Sequence, residues 1–313
     1  MENSRVPGGV WPVLLTPFND DRSIDWAALE VLADWHVQTG AAGIFADALS
    51  AEVLQLTDKD KLAIASAVVN RVRGRVPVFA GAYADGSLND QIDFIRRLAD
   101  TGVQGVVVTV CQVVASDRGD AKWRDCVERI LQRTEEIPLG LYEMPVPYHR
   151  ILSPKLLGWA ASTQRFFFHK DTTCNLRIIR EKLNAIQGTA LGFFNANTPT
   201  LLDSLTAGGH GYSGIGANYL PELYVHLCRA AGVDLPLAER LQRFLAGVDA
   251  LLHHKYPAAA KVFLAMRGAP MRPVCRAVDE AFSESELGAL RGLLESARDT
   301  AGQLGLGLVP FGG

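Results

Sequence analysis

The fold class predicted is α/β, a (β/α)8 TIM barrel with a C-terminal helical appendage. Three observations predict it. Eight short, nearly continuous apolar runs recur along the 313 residues, the pattern of parallel strands buried on both faces. Capped helical stretches lie between them, so strand and helix alternate. From Leu235 onward no strand-like run remains. The expected division is therefore 1–234 for the barrel with its site and 235–313 for a helical segment.

The runs are Val10–Leu15, Gly43–Ala46, Pro77–Ala80, Gly105–Val110, Pro138–Tyr142, Arg165–His169, Thr189–Phe194 and Gly211–Ile215. Between the first two, Asp25–Gln38 carries Leu29, Leu32 and Ala33 at helical spacing and meets Gly40, a stop signal. Thr57 before Asp58 and Asp60, and Ser87 before Asp90, are N-caps with acids in the first turn. Ser153-Pro154 and Thr198-Pro199 place a cap before proline at the first helical position. Leu235–Leu252, Ala258–Met266 and Ser283–Leu304 read as the C-terminal helices, and the final Leu-Val-Pro-Phe-Gly-Gly as a tail. An open doubly wound sheet is the competing topology. Its GxGxxG after the first strand is replaced by Leu14-Leu15-Thr16-Pro17-Phe18.

Composition narrows the function classes. Hydrophobic residues make up 48% and charged residues 21%, which excludes a disordered chain. The net charge of −3 offers no basic surface for nucleic acid or anionic membrane. No apolar run is long enough to span a bilayer, and residues 1–9 are polar without a signal-peptide core. Cys111, Cys126, Cys174, Cys228 and Cys275 form no CxxC pair, and the histidines show no HxH or HExxH spacing. Reduced thiols, a cytoplasmic setting, no metal and no cofactor are the expectations.

In such a barrel the chemistry sits where the strands end. Strand 2 ends at Asp47, before Leu49, Ser50 and Glu52. Strand 5 ends at Tyr142-Glu143, and strand 6 at His169-Lys170-Asp171. Strand 7 runs into Asn195 and Asn197, and strand 8 into Ser213 and Asn218. Lys170 follows Phe166-Phe167-Phe168, so its stem emerges from an apolar wall. Burial disfavours an ammonium, and a lysine whose pKa falls from ~10.4 toward ~7–8 can attack a carbonyl at neutral pH. A lysine snorkelling to water or paired with Asp171 is the competing reading. Asp171 alternatively caps the next helix. Tyr142, on the neighbouring strand, can relay protons or simply pack. His169 must face the helix layer if Lys170 faces the barrel mouth, because successive strand residues alternate.

Five motifs stand in a fixed order. They are Gly9-Val10-Trp11-Pro12-Val13-Leu14-Leu15-Thr16-Pro17-Phe18; Ala48-Leu49-Ser50-Ala51-Glu52; Leu141-Tyr142-Glu143-Met144-Pro145; Phe168-His169-Lys170-Asp171-Thr172; and Gly208-Gly209-His210-Gly211 with Ala217-Asn218. Along nearly the whole chain this order resembles the dihydrodipicolinate synthase/N-acetylneuraminate lyase family of class I, Schiff-base-forming aldolases. There the corresponding motifs are an opening strand with TPF, GTTGE, YNxP, G-[IV]-K-[DE]-[ST] and G-G-x-G…A-N.

The resemblance implies that Lys170 forms the Schiff base with a 2-oxo acid such as pyruvate and that Tyr142 relays protons. It implies that Ser50, with backbone N–H groups beside it, holds the substrate carboxylate. Leu49, Ala51, Ser213 and Asn197 are the further substrate-binding candidates. It also implies a homo-oligomer, dimer or tetramer. Departures bear on the substrate. Leu49 replaces the first threonine of the TT pair, and Ala51 its following glycine. Gln112 stands where the synthase has a tyrosine lent across the dimer. Pro147 stands where it has the arginine for its aldehyde partner's carboxylate, with Arg150 the nearest substitute. A lyase or aldolase joining or cleaving a 2-oxo acid and an aldehyde is the leading expectation. The synthase itself, and a barrel that binds ligand without turnover, are the alternatives.

Overall fold

A computed structural model describes residues 6–311; the polar start (1–5) and the last two residues of the tail lie outside the described residues. The eight strands are β1 (Gly9–Val10), β2 (Ile44–Ala46), β3 (Val78–Ala82), β4 (Gly105–Thr109), β5 (Leu139–Tyr142), β6 (Phe166–Asp171), β7 (Gly192–Asn195) and β8 (Gly211–Tyr212). All neighbours pair in parallel, in the order β1-β8-β7-β6-β5-β4-β3-β2. The chain between β1 and β2 closes the cylinder. Ala42 N donates to Val10 O (2.8 Å), Phe45 N to Pro12 O (3.0 Å) and Leu14 N to Phe45 O (2.9 Å). The run Val10–Leu15 was expected to be one strand. Pro12 has no N–H to give, so the ladder shortens to two residues and a separate Val13–Phe45 bridge.

The helices are α1 (Trp26–Gln38), α2 (Asp58–Val72), α3 (Leu88–Ala99), α4 (Asp120–Arg133), α5 (Pro154–Ser162), α6 (Leu176–Ala185), α7 (Leu201–Thr206), α8 (Pro221–Ala230), α9 (Leu235–His253), α10 (Ala258–Met266) and α11 (Glu284–Gln303). Thr57 and Ser87 form reciprocal capping boxes with Asp60 and Asp90, and Ser153 accepts from Leu156 N. The cap expected at Thr198 belongs instead to Asn197, whose side chain accepts from Thr200 N. The Thr198 hydroxyl turns inward, 3.0 Å from both Tyr212 and Tyr224 hydroxyls. The described part of the stretch read as a tail packs on α1. Phe311 stacks on Trp35 at 4.3 Å, and Val309 O accepts from Trp35 Nε1 at 3.0 Å.

The lower barrel is filled by aromatic rings. Trp11 lies 5.1 Å from Phe168 and 5.4 Å from Phe79, and Phe168 stacks on Phe194 at 4.7 Å. A Cβ on Gly43 would stand 2.5 Å from the Trp11 ring, so only glycine lets that indole enter. Side chains alternate along a strand, so the next inward position of β6 above Phe168 is Lys170. The helices α9–α11 share one apolar core with α1 and α8.

Candidate active site

Lys170 and Tyr142 are register partners across β6 and β5. The Lys170 Nζ lies 4.4 Å from the centre of the Tyr142 ring and 5.6 Å from that of Phe45. Lys170 is 4% exposed. Burial lowers its pKa to about 7, with no opposing carboxylate to hold the proton. Burial likewise pushes the Tyr142 phenol up, helped by Tyr256 and Cys111, so it is a protonated donor at neutral pH. The Tyr142 hydroxyl makes no hydrogen bond among the described residues and is left free for a ligand.

Both side chains line a cavity of about 570 Å³. Leu49, Ser50 and Asn197 line it too. Asn197 also serves as the cap described above. Ala51 and Ser213 are buried but lie behind this wall. Arg150 does not line it. Its guanidinium is held by Asp120 Oδ1 (2.9 Å) and Arg118 O (2.8 Å), and so cannot replace the residue missing at Pro147. Gln112 is turned away as well, donating 3.0 Å to Ala84 O. The rest of the wall is largely apolar, with Leu54, Pro145, Val146, Ile215 and Val278. No arginine lines it among the described residues.

On the other face of β6, His169 and Asp171 are fully buried. The His169 Nε2 is 3.7 Å from Glu143 and 3.8 Å from Asp171. Lys182, from α6, reaches Glu143 and Asp171 at 2.6 Å each and Thr173 Oγ1 at 2.7 Å. Burial alone would raise the Asp171 carboxyl, but His169 and Lys182 pull it well below the usual range. Glu143, His169 and Asp171 offer a compact ligand set for a cation. The Lys182 ammonium already fills that position. Asp171 is therefore neither the partner of Lys170 nor a helix cap; Asn175 caps α6. This cluster fixes the ends of β5 and β6, and with them Tyr142 and Lys170.

The wall contributed by the C-terminal segment escaped the sequence reading. His253, Tyr256, Pro257, Ala277 and Val278 all line the cavity. They are held there by Glu52, at φ 60° after the Leu49–Ala51 turn. Its carboxylate accepts from Lys261 Nζ (2.6 Å) and from the backbone N–H groups of Arg276 (2.6 Å) and Ala277 (2.7 Å). The only signal in the sequence is an aromatic residue before a proline at a helix start.

Comparison with known proteins agrees with this architecture. The profile of the dihydrodipicolinate synthetase family matches residues 6–297. A 4-hydroxy-tetrahydrodipicolinate synthase of Teredinibacter turnerae is 27% identical over 264 residues, 83% of this chain and 88% of that protein. Among solved structures, a dihydrodipicolinate synthase from Acinetobacter baumannii complexed with pyruvate superposes with TM-score 0.84 at 21% identity, covering 93% of this chain and 99% of its own. A monomeric dihydrodipicolinate synthase variant gives TM-score 0.86 at 19% identity, covering 95% and 99%. At these identities the solved structures speak for the fold alone.

Proposed function

This chain belongs to the dihydrodipicolinate synthetase family of Schiff-base-forming lyases, and from that premise we propose that Lys170 condenses with a 2-oxo acid, pyruvate or a pyruvate-releasing adduct, whose second half is an uncharged, largely apolar aldehyde. The observation that carries this reading is the dry amine of Lys170 beside the unpartnered Tyr142 hydroxyl in one cavity.

The neutral amine adds to the ketone carbon; Tyr142 gives its proton to the oxygen and its phenolate takes one back from the nitrogen, which leaves a neutral carbinolamine. Tyr142 then protonates that hydroxyl, which departs as water as the nitrogen lone pair forms the iminium. The iminium draws electrons from the adjacent carbon. In the cleavage direction the bond to the aldehyde carbon breaks, the alcohol proton passes to the Tyr142 phenolate, and the enamine that remains takes a proton on carbon to become the iminium of pyruvate. In the condensation direction that iminium loses a methyl proton to give the enamine, whose carbon attacks the aldehyde, and the new alkoxide takes a proton from Tyr142. Hydrolysis of the iminium returns Lys170.

The apolar wall and the absence of a guanidinium support a partner without a second carboxylate. The second reading, 4-hydroxy-tetrahydrodipicolinate synthase, is favoured by the similarity to the Teredinibacter turnerae enzyme. Turnover of pyruvate with aspartate semialdehyde, set against a panel of neutral aldehydes, decides between them. Borohydride added with pyruvate should leave a reduced adduct on Lys170, visible by mass and lost in Lys170→Ala. Failure across a broad oxo-acid panel overturns the proposal and leaves a ligand-binding barrel. The same reading carries a homo-oligomer, which a monomer mass in light scattering would overturn. It also carries a cytoplasmic setting, supported by five unpaired cysteines. No described helix is long and apolar enough to cross a membrane.

A further inference from the structure

The turn between α9 and α10 brings Tyr256 into the wall of the cavity shared by Lys170 and Tyr142. Its phenolic oxygen accepts a 2.7 Å hydrogen bond from Asn218 Nδ2, which also donates 2.8 Å to Val13 O. An oxygen held this way has its own proton left to give. Ser50 lines the same wall. Glu52 ties the Ser50 turn to Lys261, one helical turn beyond Tyr256, and to the Arg276–Ala277 backbone. A buried Glu52–Lys261 ion pair thus fastens the Ser50 turn to the segment that carries Tyr256.

An oxo acid bound through its ketone must also lodge a carboxylate. No arginine lines this cavity among the described residues, and the only lysine there is the proposed nucleophile. We propose that the Tyr256 and Ser50 hydroxyls form a charge-neutral clamp for the carboxylate of the oxo acid bound at Lys170, which makes Tyr256 a specificity-determining residue supplied by the C-terminal segment. The inference rests on the Schiff-base reading above. Both residues line the cavity that holds Lys170, and a carboxylate lodged against that wall accepts from both hydroxyls. Hydrogen bonds to an ionised acceptor are the stronger kind, so the exchange favours the anion.

The test compares pyruvate with its methyl ester, which keeps the ketone and removes the charge. Borohydride trapping is followed against concentration of each ketone in wild type and in Tyr256→Phe. The phenylalanine keeps the ring and removes only the hydroxyl. The variant is expected to raise the half-saturating pyruvate concentration roughly tenfold to a hundredfold. Half-saturation by the ester should shift far less than that of pyruvate. Ser50→Ala should move pyruvate in the same direction, and Ser50→Thr should restore it, so the result does not depend on one variant folding. An unchanged pyruvate-to-ester ratio in both Tyr256→Phe and Ser50→Ala overturns the clamp. Absence of trapping in wild type with any oxo acid overturns the Schiff-base reading itself.

Discussion

The amine of Lys170 stands 4.4 Å from the centre of the Tyr142 ring because the two residues are paired across neighbouring parallel strands and both point inward above the Phe168 layer. The ring covers the amine from one side, and a largely apolar wall surrounds the cavity it faces. The proposed chemistry therefore rests on a backbone register.

The pH dependence of imine formation follows from that burial. With the Lys170 pKa at about 7, the free amine is the minor form below pH 7 and the major form above it. The borohydride-trapping rate at saturating oxo acid should rise with pH and level off above an inflection near pH 7. An inflection near ~10, the value of a lysine in water, would show that the amine is solvated.

The same shift has a cost in stability, and its sign is fixed. The folded pKa lies below the unfolded one, so between pH ~7 and ~10 the unfolded chain holds more protons. The penalty for keeping Lys170 is complete below pH 7 and disappears as pH rises toward 10. Lys170→Met should therefore stabilise the protein most at pH 7 and below. The gain should shrink by about 1.4 kcal/mol per pH unit through that window. Urea midpoints of both proteins at pH 6.5, 8 and 9.5 measure it; a constant difference would refute the burial argument.

Tyr142→Phe keeps the ring over the amine and removes the proton. Trapping should slow by ~10²-fold or more, while the inflection near pH 7, which belongs to Lys170, stays in place. Loss of rate together with displacement of the inflection would mean that Tyr142 acts by tuning the lysine.

Lys182 neutralises two fully buried carboxylates, Glu143 and Asp171. Lys182→Met leaves both without their cation and should cost roughly 3–5 kcal/mol in unfolding free energy. Chemical denaturation at neutral pH measures it. A cost below about 1 kcal/mol would mean that the cluster rearranges or takes up a proton.

Much of this is legible in the sequence. Fully buried parallel strands must be apolar throughout, so all eight are visible as runs, and a barrel's chemistry must lie at their ends. That logic finds Tyr142 and Lys170 directly, and strand alternation places His169 behind the wall. It misjudges Arg150, because an arginine near a pocket in sequence is as readily captured by Asp120, and no periodicity reports such a pairing. It also misses Tyr256. That residue reaches the cavity through the Glu52–Lys261 ion pair, whose partners are 209 residues apart. Local pattern carries no trace of so distant a contact. The two-residue length of β1 was readable from Pro12, by its missing donor.

The docking of the segment after α9 across the barrel mouth separates two jobs along the chain. The proposed nucleophile comes from the sixth stave, whereas one wall of the cavity comes from His253, Tyr256, Pro257, Ala277 and Val278. Transplanting that stretch between related barrels, with Glu52 and Lys261 kept as the shared fastening, is therefore a route to new selectivity that leaves the reactive amine undisturbed.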